Sequence, residues 1–550
     1  MSSMYCFQCE QTAKETACTS FGVCGKDPDT ARIQDAVVTM CKGVAQYAHA
    51  ARQLGARDRQ VDIYVVEGLF TTVTNVNFDA QDIVTIVEEG KKMRERARQI
   101  YESAARDAGR TPEPMRGPAA WEPGDTLDEI LRNVESEMLE PRVAALGRDV
   151  AGLQELILYG LKGMSAYTDH AMILGVEDDE VYAYFHEALA SLAHDPADVE
   201  ELVGMVLRTG QENLKVLELL DTANTGAYGH PEPTQTRVTP VAGKCIAVSG
   251  HDLKDLEELL KQTEGTGINV YTHCEMLPAT AYPGLKKYKH LVGNYGGAWQ
   301  DQAQEFDAFP GAILMTTNCI QKPRDSYKDR IFTSGLVQWP GVRHISDRDF
   351  TPVLEAAKAA PGFTEDAEEK RIPTGFAHNT VLGVAEKVLE LVNQGKLRRI
   401  FLIGGCDGAK TGRNYYTRFA EQVPEDCMIL TLACGKFRFN KIEFGEIEGL
   451  PRLLDCGQCN DAYSAIKIAQ TLAETLHCGV NDLPLSFILS WYEQKAVCIL
   501  LTLLYLGVRD MKLGPSLPAF VGPNVLQVLV DKFDLQPIAT VEEDLRSALA

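Results

Sequence analysis

The chain has 550 residues, 45% hydrophobic and 24% charged, which is the composition of an ordinary soluble globular protein with room for roughly two to four domains. Its formal net charge of −23 argues against nucleic acid or an anionic membrane as a partner, because both require a basic surface. The longest apolar run, 496–508, is too short to span a bilayer and predicts a core helix.

The cysteine count indicates the redox setting. Fifteen cysteines in a large chain without a recognisable signal peptide do not predict a disulfide scaffold, which is typical of small secreted domains. We expect a reduced, cytoplasmic protein in which thiolates bind metal.

The first 24 residues carry four of these cysteines, with the spacing Cys6-x2-Cys9-x8-Cys18-x5-Cys24. Four thiolates on so short a segment can surround one inorganic centre, either an iron–sulfur cubane or structural zinc. Zinc sites usually separate two short cysteine pairs by a longer loop, whereas this segment has one short pair followed by two single cysteines. The spacing therefore favours iron–sulfur over a zinc knuckle.

The region from Asp29 to about residue 220 has helical periodicity and predicts a scaffold. Asp29 is a candidate cap for the first helix, and Thr126 with Glu129 has the form of a capping box. A loop rich in Pro and Gly, 111–124, predicts a separation between two helical bundles. A second such segment, 222–240, predicts the end of an N-terminal helical domain, 1–230.

Beyond this linker, short apolar runs alternate with helical segments, which predicts parallel sheets in two Rossmann-like α/β domains, 231–375 and 376–550. The chain is thus expected to be an α and α/β multidomain protein. Periodicity alone does not separate buried strands from buried helix, and no sequence repeat is visible, although the two α/β regions are candidate structural relatives. The predicted strands are 244–248, 268–271, 312–315, 400–403, 428–433, 453–455 and 487–489.

A potential metal ligand follows each predicted strand: His251, Glu275, Cys319, Cys406, Cys434, Cys459 and Glu493. Since ligands of open α/β sheets bind at the carboxyl ends of strands, we expect these side chains to converge. Thiolates suit iron and sulfide, whereas imidazole and carboxylate suit a harder, oxygen-bearing iron. The mixture predicts an asymmetric cluster with a sulfur-rich half and an open half for a small substrate.

Each of these residues has an ordinary alternative when it is taken alone. His251 could start a helix and hydrogen-bond Asp255, and a single glutamate is usually a partly exposed carboxylate. A lone buried cysteine behaves as a small hydrophobe, and Cys456 with Cys459 resembles half of a zinc site. Only the joint pattern favours a cluster.

These segments closely resemble the hybrid-cluster proteins, also called prismane proteins, which form the hydroxylamine reductase family. The resemblance spans essentially the whole chain, and the short-spaced N-terminal cysteines are similar to those of anaerobes. It implies an N-terminal α-helical domain followed by two similar Rossmann-like domains, with a relation to carbon monoxide dehydrogenase. The matching segments are SGHDL (249–253), THCEMLP (272–278), TNC (317–319), GGCDG (404–408), LACG (432–435), DCGQCN (455–460) and WYEQK (491–495).

The resemblance also implies the ligands. It implies that a [4Fe–4S] cubane is held by Cys6, Cys9, Cys18 and Cys24. It implies a hybrid [4Fe–2O–2S] cluster, with a persulfide on Cys406 when oxidised, held by His251, Glu275, Cys319, Cys406, Cys434, Cys459 and Glu493. The other cysteines are read as structural: Cys41, Cys245, Cys274, Cys427, Cys456, Cys478 and Cys498.

The activity that the resemblance implies is reduction of hydroxylamine to ammonia and water, with electrons passing from an external donor protein through the cubane to the hybrid cluster. The candidate catalytic residues are Glu275, Cys406, Glu493 and Lys495, the last as a proton donor or as a supporting or surface side chain. The alternatives are reduction of nitric oxide to nitrous oxide under nitrosative stress, transfer of nitrosyl groups to protein thiols, and a nickel-dependent carbon monoxide dehydrogenase-like activity. Two structural zinc sites are the non-enzymatic alternative. We expect a monomer.

Overall fold

Helices alone form the first part of the chain in the computed structural model, which describes residues 4–550. These helices are α1 (Pro28–Gln53), α2 (Arg59–Thr71), α3 (Ala80–Asp107), α4 (Leu127–Asn133), α5 (Leu139–Leu146), α6 (Arg148–Ile173), α7 (Asp179–Leu192) and α8 (Val199–Tyr228).

Side-chain caps fix where several of these helices begin. The side chain of Asp27 accepts a hydrogen bond from the backbone N–H of Thr30 at 2.7 Å, so the cap of α1 lies two residues before the predicted cap at Asp29. Pro28 explains the difference, because proline is suited to the first helical position, where its missing N–H costs nothing. The capping box of Thr126 and Glu129 is confirmed at the start of α4.

The helical region contains two similar triplets, α1–α3 and α6–α8. Both α1 and α6 have 26 residues, and each is followed by a glycine with positive φ, 81° at Gly55 and 80° at Gly175. The loop 111–124 lies between the triplets, but their apolar side chains join in one core. The predicted loop thus separates two helical groups in sequence while packing unites them in space.

An α/β region follows, built on a six-stranded sheet of order β4-β3-β2-β5-β6-β7 in which every pair of neighbours is parallel. A separate antiparallel ribbon pairs β1 with β8. The elements are β1 (Thr234–Arg237), β2 (Lys244–Ser249), α9 (Leu253–Thr263), β3 (Ile268–His273), α10 (Pro283–Lys286), β4 (Leu291–Asn294), α11 (Gln302–Ala308), β5 (Ala312–Met315), β6 (Ile331–Ser334), β7 (Arg343–Ile345), α12 (Thr351–Ala359) and β8 (Arg371–Thr374).

A second α/β region has a parallel sheet of order β13-β10-β9-β14-β15-β16 and a small antiparallel pair, β11 with β12. Its elements are α13 (His378–Leu382), α14 (Ala385–Asn393), β9 (Arg399–Gly405), α15 (Asn414–Gln422), β10 (Cys427–Thr431), β11 (Glu446–Ile447), β12 (Leu450–Pro451), β13 (Leu453–Asp455), α16 (Ala462–Leu476), β14 (Leu485–Ser490), α17 (Gln494–Tyr505), β15 (Met511–Gly514), α18 (Pro523–Phe533), β16 (Leu535–Pro537) and α19 (Val541–Leu549).

Both sheets have the same doubly wound topology. In each sheet the strand that comes first in the chain lies beside the fourth, and successive strands are added on one side of the first strand before this point and on the other side after it. These switch points fall between β2 and β5 and between β9 and β14. The predicted α and α/β fold class is confirmed, and the seven predicted strands are present. The domain boundaries after residues 230 and 375 stay predictions.

Helix α17 joins the second sheet to the helical region. Its apolar side chains lie in the same core as those of α6 and α8, which confirms the core helix predicted from the apolar run. A side chain at Gly163 or Gly210 would collide with a carbonyl of α17, so the helices approach closely. Among residues 4–550, none of the helices combines the length and apolar character needed to cross a bilayer.

Candidate metal centre

The seven side chains predicted from the strand ends all line one cavity between the two sheets. Three of them follow strands of the first sheet, and four follow strands of the second. The same cavity is also lined by Cys274, Trp299, Asn318, Ala433 and Tyr492.

The loop after β2 directs His251 into this cavity. Gly250 has a φ of 116°, and a side chain there would collide with Thr316, so only glycine fits the turn. The hydroxyl of Thr317 accepts from the backbone N–H of His251 and lies 2.8 Å from its Nδ1, which leaves Nε2 facing the cavity. The alternative bond to Asp255 is wrong, because that carboxylate instead accepts from Ser334 and Arg348.

The second sheet repeats this arrangement at its own switch point. Gly405, with a φ of 108°, precedes Cys406 as Gly250 precedes His251, and a side chain there would collide with the carbonyl of Ser490. At the neighbouring strands, the residues before Glu275 and Cys434 both have positive φ. The two sheets therefore present candidate ligands at corresponding strand ends.

The oxygen- and nitrogen-bearing half of the site is the tightest group. Nε2 of His251 lies 3.4 Å from Sγ of Cys459 and 3.7 Å from Oε2 of Glu275, and this oxygen accepts from the backbone N–H of Cys459 at 2.8 Å. Ligand atoms of the three residues all lie within 4.8 Å of one another. Both Glu275 and Glu493 are buried, 4% and 3% exposed, so the partly exposed alternative is wrong for both.

One oxygen in this group indicates that a ligand is needed. Oε1 of Glu275 is buried and has no hydrogen-bond partner among residues 4–550. An unpaired buried carboxylate oxygen is strongly unfavourable, whereas a bound cation would satisfy it. Imidazole, carboxylate and thiolate are all donors that iron accepts. The residues present therefore fit a metal cluster.

The sulfur-rich half contains Cys319, Cys406 and Cys434. Burial raises the pKa of the Cys319 and Cys406 thiols well above the usual range, and nearby anionic groups raise it further. A hydrogen bond with Cys274 is the main cause of the raised pKa of Cys434, whose sulfur also accepts from the backbone N–H of Asp407 at 2.9 Å. Thiols in such a setting ionise when a cation binds them.

Lys495 lies at the edge of both halves, with a side chain that is 1% exposed. Its Nζ donates to Oδ1 of Asn318 at 2.9 Å, lies 3.0 Å from Nε2 of His251 and 3.8 Å from Oε1 of Glu493. Burial lowers the pKa of Lys495, but Cys459, Glu493 and other acidic groups outweigh it and leave the pKa raised. The ammonium form is therefore favoured beside the candidate ligands.

The four N-terminal cysteines form a second group. The backbones of Cys6 and Cys18 exchange two hydrogen bonds of 3.1 and 2.8 Å. The pKa of Cys9 is raised, first by burial and then by the charges of Cys24, Cys6 and Cys18, so all four thiols share one electrostatic environment. This set fits a four-thiolate centre, with Cys6 and Cys24 half-buried.

The two groups are close neighbours. Cys9 lies in one apolar cluster with Cys406 and Cys434, and the same cluster contains the rings of Trp299 and Tyr492, which stack with centroids 4.4 Å apart. The backbone N–H at residue 10 donates to the carbonyl of Tyr492 at 2.9 Å. The N-terminal segment is thus fastened directly onto the loop that carries Glu493.

Some residues at the site were not predicted. Cys274, which was predicted to be structural, lines the cavity. Cys456 is buried but is not among the residues that line the cavity. Asn318 and Tyr492 were within the recognised segments, but no sequence signal indicated Trp299. Its distance in sequence from every strand-end motif explains why.

Comparison with known proteins places the chain in a family. The model of the Prismane/CO dehydrogenase family matches residues 4–546. The chain is 55% identical over 553 residues to a hydroxylamine reductase of Acidithiobacillus ferrooxidans, covering 100% of this chain and 99% of the relative. It is 56% identical over 550 residues to a hydroxylamine reductase of Geobacter sulfurreducens, covering 99% of each chain.

Solved structures support the same fold. A nickel-free carbon monoxide dehydrogenase from Thermococcus sp. AM4 superposes with a TM-score of 0.54 at 17% identity, covering 98% of this chain and 89% of that one. Carbon monoxide dehydrogenase IV from Carboxydothermus hydrogenoformans gives 0.55 at 15% identity, covering 96% and 90%. At these identities the likeness concerns the fold alone. The full-length family match and the relatives above 50% identity establish that the chain belongs to the Prismane/CO dehydrogenase family.

Proposed function

We propose that the chain is a cytoplasmic iron–sulfur oxidoreductase that reduces hydroxylamine, taking electrons from an external donor protein and acting as a monomer. The observation that carries the proposal is the convergence of thiol, imidazole and carboxylate ligands from two sheets on one cavity. The names of the full-length relatives support the same substrate. All fifteen cysteines of the described chain are free, which suits a reducing compartment.

We assign the N-terminal cysteines Cys6, Cys9, Cys18 and Cys24 to a [4Fe–4S] cubane. A hybrid [4Fe–2O–2S] cluster is assigned to the seven cavity ligands, with a persulfide on Cys406 when oxidised. When bound, the hybrid cluster supplies electrons and an iron position for the substrate.

The chain's own residues supply protons and hold the candidate ligands in place. Conversion of hydroxylamine to ammonia and water breaks the N–O bond and consumes two electrons and two protons. Lys495 holds a proton on Nζ within the cavity region, and its place is fixed by Asn318. Glu493 caps the start of α17 and accepts from the backbone N–H of Lys495 at 2.8 Å, so the helix start orients this carboxylate. Glu275 has one oxygen held by Cys459 and one free to bind metal.

A second candidate substrate is nitric oxide, and a specific cavity favours it. An apolar cavity of about 250 Å³ adjoins the site and is lined by Cys406 and Cys459 together with aliphatic side chains such as Leu402, Ile466 and Val497. Uncharged diatomic gases enter such cavities more readily than a strongly hydrogen-bonding molecule does. Reduction of two nitric oxide molecules with two electrons and two protons would give nitrous oxide and water.

The test is electron paramagnetic resonance, with iron and sulfide analysis, on anaerobically purified protein before and after addition of hydroxylamine. We expect signals from two distinct clusters, of which hydroxylamine perturbs one. Turnover would then be measured with nitric oxide as a competitor. Stoichiometric zinc without an iron signal would contradict the proposal and leave the thiols as structural, and nickel in the metal analysis would favour the carbon monoxide dehydrogenase-like activity.

A further inference from the structure

Two apolar side chains stand out on the surface of the N-terminal segment. Phe21 and Val23 are 56% and 59% exposed, more than any other large hydrophobic among the described residues, of which Val199 is next at 49%. Single exposed apolar residues are common, but in this protein the two most exposed lie two positions apart, between Cys18 and Cys24. We call the segment 19–23 the cysteine loop.

The cysteine loop is ordered, and its backbone directs both side chains outward. The N–H of Gly22 donates to the carbonyl of Lys26 at 2.8 Å, and the carbonyl of Thr19 accepts from residue 4 at 3.2 Å. Gly22 is buried, and a Cβ there would lie 3.1 Å from Sγ of Cys24. Because Gly22 faces inward, its two neighbours face solvent. A rigid apolar tip of this kind needs little ordering when it binds.

The position of the cysteine loop indicates what binds it. Its flanking residue Cys24 and the nearby Cys6 are half-buried, whereas six of the seven strand-end ligands are almost entirely buried and only Cys319 is half-buried. Electrons that reach the inner site from outside therefore enter most directly through this surface. The inner ligands are in turn connected to Cys9 through Tyr492.

The charge around the loop indicates the chemistry of the partner. Within residues 4–29 the exposed acidic side chains are Glu15, Asp27 and Asp29, and Lys14 is the one exposed cation. Lys410 offsets part of this charge by pairing with Glu15 at 2.7 Å. The chain as a whole carries −23, so a basic partner is attracted and a second copy of this chain is repelled.

We propose that the cysteine loop is the docking surface for the electron-donating redox protein, which contacts Phe21 and Val23 with an apolar face ringed by basic side chains. This inference rests on the proposed function, because it assumes an iron–sulfur centre at the N-terminal cysteines. The contact is of the small, weak type that transient redox complexes use.

The test measures electron exchange with a protein and with a small molecule in parallel. Full-length protein loaded with its clusters is reduced and mixed in a stopped-flow instrument with ferricytochrome c, a basic redox protein whose exposed haem edge is ringed by lysines. Each haem takes one electron from the chain. The variants are F21S/V23S, F21S alone, and V199S as a matched control at an exposed valine of α8. Reduced methyl viologen serves as the small donor in hydroxylamine turnover.

We expect F21S/V23S to lower the second-order rate constant for ferricytochrome c at least about tenfold, as loss of apolar anchor residues does at protein interfaces, with a smaller loss for F21S and none for V199S. In the unaltered chain the rate should fall as salt is raised, because opposite charges attract the partner. Viologen-driven turnover and the N-terminal cluster signal should not change.

Equal ferricytochrome c rates in all variants, or a rate that does not depend on salt, would overturn the docking proposal alone. Absence of viologen-driven turnover in the unaltered chain would instead contradict the proposed function. Sedimentation of the unaltered chain as a dimer that F21S/V23S dissociates would assign the loop to self-association and also overturn the proposal.

Discussion

Some of the buried polar atoms without a hydrogen-bond partner belong to the inner cavity or its surroundings. Besides Oε1 of Glu275, the hydroxyl of Tyr492 and Nε2 of His170 are buried without a hydrogen-bond partner among the described residues. The His170 ring lies 6.3 Å from that of His251, and burial followed by the charge of Lys495 lowers its pKa to about 3. Folding tolerates such atoms at a functional site when a bound group or water satisfies them.

Replacement of Glu493 by glutamine tests the carboxylate at the residue scale. The amide keeps the shape of the side chain and the start of α17 but loses the negative charge that we propose binds metal. We expect turnover of hydroxylamine to fall at least about 100-fold while the circular dichroism spectrum stays unchanged. Steady-state kinetics with viologen as donor measure this loss. Wild-type rates with an unchanged cluster spectrum would contradict the assignment.

Asp35 gives a pH-dependent prediction outside the inner cavity, in a polar cavity that it lines together with Cys6. Burial is the main cause that raises its pKa from 3.8 to about 7, so the folded state holds this proton more tightly than the unfolded state does. The contribution of Asp35 to stability is therefore complete below about pH 4 and lost as pH rises through 7. Asp35→Asn cannot ionise and avoids that loss.

Relative to the unaltered chain, Asp35→Asn should gain stability with rising pH, by at most about 4 kcal/mol above pH 8 and by little at pH 4. Anaerobic urea unfolding at several pH values measures the difference. Asp107→Asn, at an exposed position of α3, is the control and should show no such trend. A difference that shrinks as pH rises would contradict the predicted sign.

At the scale of elements, α8 offers a matched pair of glycines. Gly210 is buried, and a methyl group there would collide with the backbone of Leu501 in α17, whereas Gly204 is exposed, and a methyl group there would meet no atom within 4 Å. Gly210→Ala should therefore destabilise the protein by about 1–3 kcal/mol, and Gly204→Ala should stabilise it by about 0.5–1 kcal/mol.

The added methyl group of Gly210→Ala should push α17 away from α8. This shift should also move the candidate metal centre, because α17 begins directly after Glu493. We expect Gly210→Ala to broaden or shift the electron paramagnetic resonance signal of the proposed inner cluster and Gly204→Ala to leave it unchanged. Chemical denaturation and electron paramagnetic resonance of both variants measure the two effects. Equal changes in stability and in the resonance signal of the two variants would show that close packing of α17 against α8 does not determine the geometry of the site.

Sequence reasoning succeeded for the strands for a physical reason. Buried parallel strands are nearly continuous apolar runs, so segments such as Ala312–Met315 and Leu453–Asp455 were predicted with their observed bounds. Convergence of His251 and Cys406 followed from the rule that ligands gather at strand ends. The likeness of α1 to α6 was missed although side chains do repeat, since Lys42, Gly43 and Tyr47 of α1 recur at the same spacing as Lys162, Gly163 and Tyr167 of α6. Contacts of Trp299 and Arg413 depend on long-range packing that no local pattern records.

At the scale of the whole molecule, one buried ion pair fastens the N-terminal cysteines to the second sheet. Nη2 of Arg413 lies 2.8 Å from Oε2 of Glu10, and both side chains are almost fully buried. Arg413 also donates to the carbonyls of Cys406 and Trp491. The pair thus connects the two candidate clusters through the backbone of one ligand.

Arg413→Met should remove this connection and leave the buried carboxylate of Glu10 with Lys410, 3.3 Å away, as its remaining cationic partner. Breaking a buried pair in this way costs about 3–5 kcal/mol, so we expect lower stability and loss or distortion of the N-terminal cluster signal. Arg59→Met is the control, since it breaks an exposed pair with Glu177, worth about 1 kcal/mol or less. Urea unfolding measures the free energy of unfolding of both variants, and low-temperature electron paramagnetic resonance measures the N-terminal cluster signal. Similar behaviour of the two variants would argue against the anchoring role.

The division of the ligands between two sheets has a consequence for how the protein matures. The first sheet carries His251, Glu275 and Cys319, and the remaining ligands come from the second, the last at Glu493. Neither half can enclose the inner cluster, so a ribosome must complete nearly the whole chain before that site exists. The N-terminal cysteines, by contrast, are synthesised first and lie within 19 positions of one another. The proposed inner cluster would therefore be inserted only after the two sheets have docked, which makes its delivery a late step in the maturation of the protein.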